Sequence, residues 1–141
     1  ELRGGGLVEL ATKSLLGQHE LGAAAVAALL GRSREGLQRL DLSFNKLEPA
    51  AFAALFSALV GFSALELLDL SRNSLGLEGA SELAPVLGGL DHLTNLNLSN
   101  TGLKAEGCRV LCLTLVDLPA LIHLDLSTNG IGGEGARHVS A

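Results

Sequence analysis

The chain has 141 residues and a formal net charge of −5, with 48% apolar residues and aromatics limited to four Phe. That length suits one domain with a sizeable core. The acidic balance argues against nucleic acid, which needs clustered Lys and Arg, and no apolar run is long enough to span a membrane.

The first unit, residues 7–36, opens on Leu7-x-x-Leu10, with Thr12 and Leu15 following. After Gly22 come Ala23, Val26, Ala27 and Leu30, the i, i+3, i+4, i+7 spacing of an amphipathic helix. The next unit, 37–64, states a fuller pattern: Leu37-x-x-Leu40-x-Leu42, then Ser43-Phe44-Asn45-Lys46-Leu47. Alternation at Leu40-x-Leu42 predicts a short strand with one buried face. Asn45 sits where the chain turns away, and its amide can donate and accept at once to backbone groups in the turn. Phe52, Leu55, Phe56 and Leu59 then give a helical stripe.

The frame recurs at Leu65, Leu93 and Leu121, so units start at 37, 65, 93 and 121, always 28 apart. Residues 65–92 repeat it with Asn73 and the stripe Ala80, Leu83, Ala84, Leu87; Pro85 on the opposite face is expected to shorten or kink that helix. Residues 93–120 carry Thr101 in the Asn position, with Asn100 expected to face outward, and the stripe Cys108, Leu111, Cys112, Leu115. Residues 121–141 carry Asn129 and the beginning of a stripe at Ala136 and Val139. Gly79, Gly107 and Gly135 hold one helix-start column, where a small residue suits close packing of turn against helix.

A fixed period of this kind means one supersecondary unit stacked on copies of itself. Helices about 10 Å across pack outside strands roughly 4.8 Å apart, so the stack curves with its strands inside. The expectation is an α/β solenoid: a horseshoe segment with a parallel concave sheet and convex helices. It forms one domain over 1–141, with a degenerate repeat (7–36), three full repeats and a partial repeat (121–141). The first unit reads either as a terminal repeat or as a divergent internal one. The last unit stops in mid-helix, as expected of a fragment of a larger protein.

These residues resemble the leucine-rich repeat family, in particular its ribonuclease-inhibitor-like subfamily, whose pattern runs L-x-x-L-x-L-x-x-N-x-L-x-x-x-G before a helix. The match is close over 37–141 and loose over 7–36. The resemblance implies a protein-binding scaffold within a larger intracellular protein, cytoplasmic or nuclear. It also implies alternative settings: the recognition or autoinhibitory arm of a NOD-like receptor, or a Ran-GAP-like activator of a small GTPase.

No catalytic, cofactor or metal signature accompanies the repeat. His19, His92, His123 and His138 are scattered, Gly4-Gly5-Gly6 lacks the Lys-Ser/Thr of a phosphate loop, and nucleophile-and-base patterns are absent. Cys108 and Cys112 stand in columns held elsewhere by Phe52, Ala80, Phe56 and Ala84, which favours reduced core thiols over a disulfide or ligands. Disulfide-bonded caps of extracellular relatives are missing, which favours an intracellular setting.

Candidate binding residues therefore lie where the repeat leaves choice. On the concave face one column reads Asp41, Asp69, Asn97, Asp125 and the next Ser43, Ser71, Ser99, Ser127. Flanking them run Arg39, Leu67, Asn95, His123 and Phe44, Arg72, Asn100, Thr128. The Asp and Ser columns are read chiefly as common strand text of the subfamily. Arg39, Phe44, Leu67, Arg72 and His123 are the better specificity candidates, Leu67 and Phe44 as apolar anchors on a polar surface. An acidic-polar groove suits a basic or hydrogen-bonding protein segment; no nucleic acid or membrane partner is expected.

Overall fold

The computed structural model describes residues 9–11, 27, 28, 31, 36–47 and 49–133. Among the described residues a five-stranded parallel sheet runs in chain order: β1 (Glu9–Ala11), β2 (Arg39–Asp41), β3 (Leu67–Asp69), β4 (Asn95–Asn97) and β5 (His123–Asp125). Helices α1 (Pro49–Leu59), α2 (Gly76–Leu87) and α3 (Lys104–Leu115) connect successive strands from β2 to β5. This is an α/β leucine-rich solenoid segment, with strands on one side and helices on the other.

Register follows the leucine frame. Leu40 pairs with Leu68, Leu68 with Leu96 and Leu96 with Leu124. Leu10 pairs with Leu40, so the worn first unit joins the sheet in frame despite its longer spacing. Pairing outlasts the strands proper: the amides of Leu42 and Phe44 reach the carbonyls of Asp69 and Ser71 at 2.9 and 3.0 Å.

The core lies between sheet and helices. Leu40, Leu42, Leu68, Leu70 and Leu98 are fully buried, as are Phe52, Leu55, Leu59, Leu83, Leu87 and Leu111 across from them. Each such aliphatic side chain contributes about 1.5–3 kcal/mol on burial. Phe52 and Phe56 stack with ring centroids 5.0 Å apart. Phe62, Leu90 and Leu118 form a further buried column under the return loops, outside the predicted stripes.

The predicted stripes hold with small shifts. In α2, Val86 is buried and Ala84 only half-buried. Pro85 does not shorten this helix, which has 12 residues like α3. Its ring is exposed, and the intrahelical donor it removes would have served the carbonyl of exposed Ser81, where water can substitute. Gly79 sits tightly: a Cβ there would lie 2.6 Å from Cδ1 of fully buried Leu75.

Ala27 is half-buried against the core at the first unit's end. The predicted positions Leu7, Thr12, Leu15, Gly22, Ala23, Val26, Leu30, Gly135, Ala136 and Val139 lie outside the described residues.

Candidate functional site

Between strands and helices the chain turns through a buried hydrogen-bond ladder that fixes the position of everything on the strand face. Asn73 donates from Nδ2 to the Leu42 carbonyl at 2.9 Å and to its own repeat's Leu70 carbonyl at 3.0 Å. Its Oδ1 accepts the amides of Asn45 and Leu47 at 3.1 and 3.0 Å. Asn129 does the same two repeats further on, for Leu98, Leu126, Thr101 and Leu103. Thr101 replaces the amide with a hydroxyl that donates to the Leu98 carbonyl at 2.7 Å. These side chains satisfy backbone groups that would otherwise be buried without partners.

The Asp column also does local work. Oδ1 of Asp41 accepts the Ser43 amide at 2.9 Å, and that of Asp69 accepts both the Ser71 amide at 2.9 Å and its hydroxyl at 2.6 Å. Asn97 and Asp125 hold Ser99 and Ser127 in the same way at 3.0 and 2.9 Å. Each is a side-chain-closed turn that starts the chain away from the sheet. In Asp125, hydrogen bonds from the Ser127 side chain and backbone hold the carboxyl below its ordinary value, against a smaller opposing effect of burial.

This corrects the expected Ser column at its first two members, whereas Ser99 is half-buried and Ser127 exposed. Ser43 and Ser71 are buried rather than displayed, each held by the Asp two residues before it. The next residue takes a left-handed conformation, with φ of 57° at both Phe44 and Arg72, and its side chain swings out to solvent. Asn100, with φ of 52°, is exposed as expected.

Of the ten predicted site residues, six converge. Leu67, Asp69, Asn95, Asn97, His123 and Asp125 line one hollow of about 530 Å³ on the strand face over β3–β5. Within it Asn97 Nδ2 approaches Asp69 Oδ2 at 3.4 Å, and Asn95 Oδ1 accepts from the Thr94 hydroxyl at 2.8 Å. Asn97 thus separates two carboxylates that would repel by roughly 1 kcal/mol at strand spacing in water. Arg39 and Asp41 stand on β2 outside the hollow. Leu67 is half-buried, a lesser anchor than its sequence position suggests. Ile122, which the sequence did not single out, is 72% exposed at the hollow's edge, and Leu124 is 37% exposed.

The remaining pair, Phe44 and Arg72, meets at the rim. Phe44 is 39% exposed and carries the Arg72 guanidinium 5.4 Å from its ring centroid. Sequence gave these residues the same column, so neighbouring repeats bring them together.

Cys108 and Cys112 form no disulfide; both are buried, with their sulfurs 3.8 Å apart. Burial, the hydrogen bond to Cys112 and repulsion between the two push the Cys108 thiol up to about 11, as befits an unreactive core thiol. Among the described residues no group of His, Cys, Asp and Glu could hold a metal ion, and no helix is long and apolar enough to cross a membrane.

Comparison with known proteins agrees with this geometry. A family profile described as Leucine Rich repeat matches residues 64–84, 90–112 and 119–139, and a second, described as Leucine Rich Repeat, matches residues 36–55. The chain belongs to the leucine-rich repeat family. Among solved structures it is similar to leiomodin-1 actin-binding site 2, with a TM-score of 0.68 and 12% identity, over 97% of this chain and 81% of that one. That likeness is one of fold. A search of curated proteins finds no match.

Proposed function

We propose that this chain is a non-enzymatic, protein-binding repeat scaffold whose partner lies across the strand face over β3–β5. The carrying observation is convergence: six side chains from three repeats line one hollow, and three of them, Leu67, Asn95 and His123, stand in a column that the repeat leaves variable. Apolar Leu67 and exposed Ile122 would anchor the partner, and Asn95, Asn97 and His123 would set its register by hydrogen bonds. The similar leiomodin-1 structure, named as an actin-binding site, supports a binding role for such an array. The Asp69 and Asp125 carboxylates favour a partner segment that brings hydrogen-bond donors or positive charge. Repeat spacing favours the ribonuclease-inhibitor-like subfamily, and two reduced cysteines favour an intracellular setting.

Site-specific photocrosslinking tests the reading. A photoreactive side chain at Asn95, in the hollow, should trap a discrete protein in cell extract that the same group at Arg109, on exposed helix surface, does not. No product, or the same products from both positions, would refute it.

A further inference from the structure

The strand-to-helix turns form a second recess, distinct from the strand-face hollow and opposite in charge. It is a cleft of about 640 Å³ lined by Lys46, Pro49, Arg72, Asn100, Thr101 and Gly102, among others. Its described lining includes two cations and no carboxylate, on a chain whose net charge is −5. Among the described residues neither Lys46 nor Arg72 forms an ion pair, the sole pair there being Arg109 with Glu106.

Arg72 has an aromatic neighbour from the preceding repeat. Its guanidinium carbon lies 5.4 Å from the Phe44 ring centroid, a cation–π contact that restrains the side chain while a planar fork can still take a carboxylate. Lys46 is held at a backbone position that disfavours it. Its φ is 55°; in the same column Gly102 and Gly130 have φ of 69° and 62°, while Ser74 of the next repeat is not at positive φ. A non-glycine residue in that region carries strain of about 1–2 kcal/mol. Positive φ recurs at Phe44, Arg72, Asn100, Lys104 and Thr128 and so belongs to these turns generally; what singles the cleft out is that Lys46 and Arg72 both line it with no carboxylate among its described lining.

We propose that this cleft binds the carboxylate side chains of an acidic segment in a protein partner, Arg72 gripping one carboxylate through its planar fork and Lys46 adding a point charge beside it. The site deepens the proposed function and rests on that protein-binding reading: the partner would set donors against the acidic strand face and carboxylates against the basic rim. Complementary charges of both signs fix orientation as well as encounter rate.

The test uses the ¹⁵N-labelled chain and two synthetic decapeptides, alternating Glu-Ala and its Gln-Ala counterpart, with inorganic phosphate as a separate arm. The Glu peptide should shift the amide signals of Lys46, Arg72, Ser74 and Gly102, and the Gln peptide should leave them in place. Arg72→Gln or Lys46→Gln should weaken binding at least tenfold, and Arg72→Lys should also weaken it, because charge survives there but the fork does not. Unshifted rim signals with the Glu peptide would overturn the proposal, as would equal shifts from phosphate at equal concentration, which would make the cleft a general anion site. Circular dichroism of each variant checks that the fold is retained. Because Lys46 and Arg72 lie outside the strand-face hollow, failure here leaves the crosslink at Asn95 unaffected, and the reverse holds too.

Discussion

Asn129 holds Thr101: its Oδ1 takes the Thr101 amide at 2.9 Å and lies 3.0 Å from the Thr101 hydroxyl, whose one proton it shares with the nearer Leu98 carbonyl. The same oxygen takes the Leu103 amide at 3.2 Å, while Nδ2 donates to the Leu98 carbonyl at 2.7 Å. One side chain therefore binds together two successive turns. Asn129→Ala should strand several buried polar groups, each worth about 1–3 kcal/mol. A loss of about 3 kcal/mol or more is expected, read as a lower urea midpoint with unchanged slope; a loss under 1 kcal/mol would mean that the ladder is dispensable.

One rung is incomplete. In the other turns an Asn oxygen accepts two amides, those of Asn45 and Leu47 or of Thr101 and Leu103. Thr101 presents a shorter hydroxyl in place of the carboxamide oxygen, and among the described residues neither the Asn73 nor the Leu75 amide donates to it. Thr101→Asn should supply that oxygen and stabilise the fold by about 1–2 kcal/mol, seen as a raised denaturant midpoint. Destabilisation would show that the extra atoms overfill the turn.

Much of this was legible in the leucines. Leu40, Leu68, Leu96 and Leu124 recur at a spacing only a stacked strand explains, and the sheet pairs them as the frame requires. The burial of Ser43 and Ser71 was not legible, since residue type alone does not announce how the Asp two residues before each one holds it. Helix α2 survives Pro85 because the lost donor faces solvent, a fact of orientation rather than composition. The hollow was legible column by column, but its restriction to β3–β5, and the cleft that Arg72 and Lys46 share, exist only once neighbouring repeats are stacked.

Asp125 gives a pH signature of definite sign. Its carboxyl is held low by Ser127, so the stabilisation is full above the ordinary Asp pKa and is lost as pH falls through the lower folded value. Asp125→Asn keeps an oxygen for the Ser127 amide, as Asn97 does for Ser99 at 3.0 Å. The variant should therefore match the parent near pH 7 to within about 0.5 kcal/mol and show a shallower decline of stability in acid. An unchanged acid profile would count against the assignment.

Cys108 should resist chemistry while the chain is folded. With the thiol pushed up to about 11 and the side chain 1% exposed, almost no thiolate is present or reachable at pH 7.5. Iodoacetamide labelling followed by mass spectrometry should be slower by at least a hundredfold in buffer than in 6 M guanidinium chloride. Equal rates would place the sulfur at the surface.

The most direct measurement is quantitative capture from cell extract with the parent chain and two variants. One is Leu67→Arg with His123→Arg, placed in a column where Arg39 already stands; the other is Arg109→Glu on the helix face as a control. A partner of the strand face should be retained by the parent and the control and lost, by tenfold or more, from the double variant with its fold intact. Equal recovery by all three would contradict binding through the hollow over β3–β5.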